Sequence, residues 1–218
     1  MAKTKGPLLS LGARGSIAKS QVYARWKGVD YARVHVDPAN PRTVEQTSTR
    51  DVFSSLNTQW KYSPALAQAP FASAAQGKPV TDRNLFIQAN LSPMRSETDM
   101  ELFVGSPGSR GGIPPTLLSL AAPGAGALNA SLTTTDAPTD WTLSQVVGVA
   151  FVDRDPHVQP VTFPVAAEDL TPTAGGVSVI PFTGLTPGTY IVSAWPVWTK
   201  PDGFLAYGPS MTDSIVVT

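Results

Sequence analysis

Cysteine is absent from the 218 residues. That excludes a disulfide scaffold, thiolate catalysis and Cys-ligated zinc or iron–sulfur centres. Histidine is scarce: His35 and His157 are the only imidazoles, and they lie far apart in the chain. Charged residues make up 15% of the sequence, against the usual quarter. Long apolar runs are missing as well. No stretch approaches the ~20 residues of a membrane span, and the run Pro7–Leu11 is too short for a signal core. The expected place of synthesis and residence is the cytoplasm, unless the chain leaves within a larger particle.

Catalytic signatures are missing too. There is no nucleophile elbow, Walker A sequence or dinucleotide fingerprint. The glycine-rich stretch Gly105–Gly112 lacks the following Lys-Ser/Thr of a phosphate cradle. Asp153, Asp155 and His157 fall in Asp153-Arg154-Asp155-Pro156-His157, whose Asp and Pro are turn formers. They read as an exposed turn, since no EF-hand spacing follows. Glu97, Asp99 and Glu101 alternate as on a wet strand face. The expectation is a protein that is not an enzyme and holds no cofactor and no metal.

What the chain does contain is 42% apolar residues, 21 Pro and 18 Gly, which implies many turns and short elements around a real core. Its formal net charge of zero conceals an asymmetry. Residues 1–110 carry 14 basic and 8 acidic side chains, whereas 111–218 carry 2 basic and 8 acidic. Most of the positive excess lies in the first 36 residues, as Lys3, Lys5, Arg14, Lys19, Arg25, Lys27 and Arg33 against Asp30 alone. Such a segment suits an acidic partner surface. With aromatics limited to Tyr23, Trp26 and Tyr31, it does not suit a dedicated nucleic-acid reader.

Along the chain, residues 1–15 form an extended basic arm and 16–104 a small α+β domain. Ser16–Arg25 and Asp30–Val36 are β-prone runs around the turn Trp26-Lys27-Gly28-Val29, a hairpin. A helix follows from a Thr43 cap, with Val44, Val52, Phe53, Leu56 and Trp60 at helical spacing, and Pro64 ends it. Ala65–Ala75 predicts a short helix interrupted by Pro70. Thr81 or Asp82 caps a third, which turns Leu85, Phe86 and Ile87 inward. Residues 105–129, rich in Pro and Gly and almost uncharged, read as a linker in which Leu117, Leu118 and Leu120 form a short strand. Residues 130–218 then show β periodicity throughout. Strands are expected at Ala130–Thr134, Trp141–Asp153, Val161–Ala166, Val177–Phe182, Thr189–Trp198 and Ser214–Val217. The fold class is mainly β: a hairpin plus helices, then an antiparallel sandwich.

Two resemblances refine this. The segment Gly184-Leu185-Thr186-Pro187-Gly188-Thr189-Tyr190, followed by Val192-Ser193-Ala194, is similar to the corner between the fifth and sixth strands of fibronectin type III and other immunoglobulin-like domains. The resemblance implies that Leu185 fills the core and that the Tyr190 hydroxyl bonds back to the backbone. Trp141 would be the core aromatic of an early strand. The N-terminal part carries Gly6, Gly12 and Gly15, then Trp26-Lys27-Gly28, then Asn40-Pro41-Arg42-Thr43 with Gln46, Arg50 and Phe53, continued by Trp60 and Asn84. In this it resembles a family of bacteriophage and prophage virion proteins.

That resemblance implies a virion structural protein, made in the host bacterial cytoplasm. The leading expectation is a capsid decoration or cement protein that binds the major capsid protein or other virion proteins in many copies of a symmetric assembly, with no membrane and no nucleic acid as partner. Lys3, Lys5, Leu8, Leu9, Arg14, Arg25, Lys27 and Arg33 are the candidate partner contacts. One alternative is a tail-tube, head–tail connector or neck component. Another is a carbohydrate-binding or host-adhesion module that uses Trp195, Trp198, Phe204 and Tyr207 as a stacking platform.

Overall fold

A computed structural model describes residues 15–17, 19–26, 29–37, 39–40, 42–95, 103–152 and 164–218. The chain divides into two compact units, Met1–Thr43 and Val44–Thr218.

Unit 1 is an antiparallel three-stranded sheet in the order β1-β2-β3, with β1 at Gly15–Ile17, β2 at Gln21–Trp26 and β3 at Val29–Val34. The expected first strand, Ser16–Arg25, is broken in two. Lys19 takes a positive φ of 55° at the turn before β2, so the chain doubles back and gains a strand. β2 and β3 pair in register from Gln21↔Val34 to Trp26↔Val29, the expected hairpin.

Unit 2 begins with helices α1 (Val44–Tyr62), α2 (Ala65–Ala75) and α3 (Asp82–Asn90), then a 3-10 turn at Pro93–Arg95. The buried stripe of α1 is Val52, Ser55, Leu56, Gln59 and Trp60, spaced i, i+3, i+4, i+7, i+8. Val44 and Phe53, expected inside, are exposed. Val44 falls in the row of Val52, Leu56 and Trp60 but eight residues ahead of the first buried position, Phe53 sits beside that row, and Ser55 and Gln59 complete the stripe. Pro70 lies within α2 without ending it. At α3 the Thr81 side chain accepts from the Asn84 N–H at 3.2 Å, the N-cap that its sequence called for.

Eight strands follow: β4 (Leu117–Gly124), β5 (Ala127–Thr133), β6 (Thr142–Val152), β7 (Val165–Asp169), β8 (Val177–Thr183), β9 (Gly188–Thr199), β10 (Leu205–Tyr207) and β11 (Met211–Val217). They form two antiparallel sheets. One is β4-β5-β8. The other is β10-β9-β6-β7, with β11 also pairing with β9, beyond β10 along that strand. Side chains alternate across a strand, so β6 and β9 serve two cores. Val146, Ala150, Tyr190, Val192 and Ala194 pack with Leu128, Leu132, Ile180 and Phe182 of the three-stranded sheet. On the opposite face, Phe151 and Ile191 join Val52, Leu56, Trp60, Phe71 and Phe86 of the helices. Val147, Val149, Trp195 and Val197 form a third cluster beside Leu66 and Ala67 of α2. The order of layers is sheet, sheet, helices.

A relay of aromatic rings ties the last two layers. Trp60 meets Phe71 edge-on at 5.8 Å between centroids. Phe71 meets Phe86 at 5.3 Å, Phe86 meets Phe103 at 6.0 Å, and Phe103 meets Phe151 of β6 at 4.6 Å. Asn90, fully buried, acts as a short stretch of strand. It donates to Val104 O at 3.0 Å and accepts from the Val104 N–H at 2.7 Å.

The domain limits expected from composition therefore move. The helices share a core with the second sheet, so the compact division falls after Thr43 and not near residue 128. Residues 105–129 contain β4 and the start of β5, and their first part is laced to the β10–β11 connection. Ser109 N–H donates to Tyr207 O at 2.8 Å, Ser210 N–H to Ser106 O at 3.0 Å, and Ser106 Oγ to Gly208 O at 2.6 Å. Glycine is needed here for close approach. A Cβ at Gly105 would lie 2.4 Å from Ser193 Oγ, and one at Gly112 would lie 2.0 Å from Tyr207 O.

The Tyr190 hydroxyl accepts from the Thr186 N–H at 3.2 Å, with Tyr190 and Leu185 both buried. Trp141, by contrast, is only half-buried before β6, with Lys200 Nζ 4.9 Å above its ring. The fully buried large aromatics of the second sheet are Trp195 and Trp198 on β9. Replacing Tyr190 by Phe strands the Thr186 N–H. Unfolding in denaturant is expected to show a loss of about 1–3 kcal/mol.

Candidate functional site

Unit 1 has an unusual surface for a folded sheet: none of its described side chains is buried. Tyr31, Val34 and Val36 are exposed, the two valines at 70% each. The register puts Arg33 opposite Val22 and Arg25 opposite Asp30, so the two arginines lie on opposite faces. Tyr23 OH donates to Gln21 Oε1 at 3.0 Å on the same face as Arg25. His35 follows β3, its N–H bonded to Ser20 O at 2.9 Å and its Nδ1 3.6 Å from Asp37. Of the expected partner contacts, Arg25 and Arg33 are thus placed but not brought together. Lys3, Lys5, Leu8, Leu9, Arg14 and Lys27 lie outside the described residues. In sequence, residues 1–43 hold 8 basic and 2 acidic side chains, and 44–218 hold 8 basic and 14 acidic.

The expected stacking platform does not form. Trp195 and Trp198 are completely buried. β9 lies between the helices and the β4-β5-β8 sheet, and its side chains are consumed by packing. Neither indole N–H finds a hydrogen-bond partner. Phe204 stays exposed, but the Arg110 guanidinium covers one face of its ring at 4.8 Å from the centroid. Tyr207 is half-buried. Burial lifts its phenol above the ordinary value, and the Arg110 charge pulls it partly back.

Arg110 belongs to a site that the composition did not reveal. It sits in the turn Ser109-Arg110-Gly111-Gly112, closed by Gly112 N–H to Ser109 O at 3.0 Å. The two central residues have φ values of 52° and 74°, the signature of a turn that favours Asn and Gly. An arginine there bears a backbone cost of about 1–2 kcal/mol. Its Nη2 donates to Gln76 Oε1, which fixes the head group beside α2. The turn and the end of α2 border an open groove of about 820 Å³. Ser109 Oγ donates to Ser73 Oγ across it at 2.9 Å, and Lys78 stands on its wall. No described acidic residue lines it. Pro107-Gly108 and Gly111-Gly112 signal turns, but only the long-range pairing with Tyr207 and Pro209 puts them beside α2.

Among the described residues no group of three or more His, Asp or Glu is placed to hold a metal ion. Asp153, Asp155 and His157 lie outside them. No described helix is long and apolar enough to cross a membrane. No protein-family model and no curated protein matches the chain. Because Trp198 is buried among the strands, Trp198→Ala is expected to cost about 3–5 kcal/mol of stability in equilibrium denaturation, as the removal of a large core side chain does.

Proposed function

We propose that this chain is a non-catalytic structural protein of a bacteriophage particle, a capsid decoration or cement protein that binds the lattice of the major capsid protein in many copies. The observation that carries the reading is the contrast between the two units. Unit 2 fills three clusters with buried side chains, whereas unit 1 has no buried side chain among its described residues and a large excess of positive charge. A small sheet gains independent stability by covering a hydrophobic face. Val34 on one face of the hairpin and Tyr31 on the other are each exposed to such a cover, and the basic arm suits an acidic one. The resemblance of the arm, hairpin and first helix to phage virion proteins supplies the partner.

We read the two sheets of unit 2 as immunoglobulin-like, of the fibronectin type III kind. In support, β4-β5-β8 faces β7-β6-β9 with β10 and β11 on the outer side of β9, and the Tyr190 hydroxyl closes the corner onto Thr186. Such domains are general adaptors, so they agree equally with a tail-tube, connector or neck position. Copy number separates those positions. A decoration protein approaches the major capsid protein in a stained gel of purified particles, and a connector ring does not.

Deletion of residues 1–15 is expected to leave a folded, soluble chain that no longer binds particles in a co-sedimentation assay. Leu8, Leu9 and Leu11 add apolar contacts to those of Lys3, Lys5 and Arg14, so salt should weaken binding by the full-length chain only in part. Undiminished binding by the truncated chain would remove the arm from the interface. Absence of the protein from purified particles would overturn the virion reading.

A further inference from the structure

The groove beside Arg110 is lined by residues of unit 2, and what is inferred for it does not depend on the particle reading. Three independent features point the same way. First, an arginine occupies a turn position that Asn or Gly fills without strain. Strained positions of this kind persist where the surroundings hold them, and they cluster at ligand sites. Second, the guanidinium is held before any ligand arrives, between Gln76 Oε1 and the Phe204 ring. It has five N–H donors, and among the described residues its guanidinium has one hydrogen-bond partner, Gln76. Third, Lys78 shares the groove with no described carboxylate to neutralise either cation.

We propose that this groove binds an acidic saccharide, with its oxyanion on Arg110 and Lys78 and sugar hydroxyls on the Ser73–Ser109 hydroxyl pair. The Arg110 fork matches a planar carboxylate in two parallel hydrogen bonds. At about 820 Å³ the groove is of small-ligand size. Its other walls are small or conformationally fixed: Ala74, Pro107, Pro209 and glycines. No large apolar side chain is there to anchor a peptide. A nucleic acid strand is a poorer fit, since it needs a longer track of cations and open aromatic faces. Here there are two cations, and the neighbouring ring is already covered on one face by Arg110.

The test is titration calorimetry on the full chain with a galacturonic acid trisaccharide and with sialyllactose. A neutral trisaccharide, inorganic phosphate and a triglutamate peptide serve as the comparison arms. At least one acidic sugar is expected to bind, and the neutral sugar is not. Arg110→Asn should weaken that binding about tenfold or more, with an unfolding midpoint equal to or above the parent's because the turn loses its strain. Lys78→Gln, on the exposed rim, should weaken it by roughly threefold, and it decides the matter should the first variant fail to fold. Failure of both acidic sugars to bind, or binding that survives both substitutions, overturns the proposal. Phosphate or triglutamate binding as tightly as the sugars overturns the saccharide assignment. A lower midpoint in Arg110→Asn with binding retained assigns the arginine to the turn alone.

Discussion

Strand β9 has no wet face, and the architecture of unit 2 follows from that constraint. From Tyr190 to Trp198 every residue is buried. Tyr190, Val192 and Ala194 point to the three-stranded sheet, and Ile191, Trp195 and Val197 point to the helices. Its neighbour β6 divides in the same way, Val146 and Ala150 to one side and Val147, Val149 and Phe151 to the other. An apolar face of a sheet must be covered, so a two-sheet arrangement alone would leave half of β6 and β9 in water. The helices are that cover. The Phe103–Phe151 contact and the Asn90 bridge to Val104 fasten it, where the chain passes from the helices to the sheets. The helical segment is therefore part of the same core as the strands.

The same constraint explains what the sequence disclosed. β8 alternates in burial, with Ser178, Ile180 and Phe182 inward and Val177, Val179 and Pro181 outward, but its polarity does not, so β-branched and aromatic content between turns marks it and not period two. Thr81 capping and the Leu185–Tyr190 corner are local signals, and both were legible. The apolar residues of β9 on both faces announced a strand but not its second partner, because burial on both sides erases alternation. The glycines of 105–112 were ambiguous for another reason. A flexible linker and a backbone pressed against another backbone both call for residues without a Cβ. Only the partner, Tyr207 and its neighbours, distinguishes the two. The tryptophans misled similarly: Trp195 and Trp198 suggest stacking by composition, yet both are fully buried in a strand enclosed from Tyr190 to Trp198.

The candidate sites fall where this packing ends. Arg110, Lys78 and the serine pair stand at the rim of the helical cover, where the chain from α2 and the lacing segment meet. No short motif marks such a place, since its residues are 36 positions apart in the case of Ser73 and Ser109. Unit 1 is the opposite case. Its hairpin and its charge are both plain in the sequence, and the partner proposed for it rests on those exposed residues and not on a pocket of its own.

The central claim, one cooperative core shared by helices and sheets, is tested most directly by following the equilibrium unfolding of the full chain and of Phe151→Ala with two signals. Helical circular dichroism reports α1–α3, and tryptophan fluorescence, recorded with Trp60 of α1 replaced by Phe in both proteins, includes the buried Trp195 and Trp198 of β9. The account predicts coincident transitions in both proteins, with both signals of Phe151→Ala shifted together by about 3–5 kcal/mol. Loss of the helical signal while the fluorescence transition stays at its parent position would contradict it.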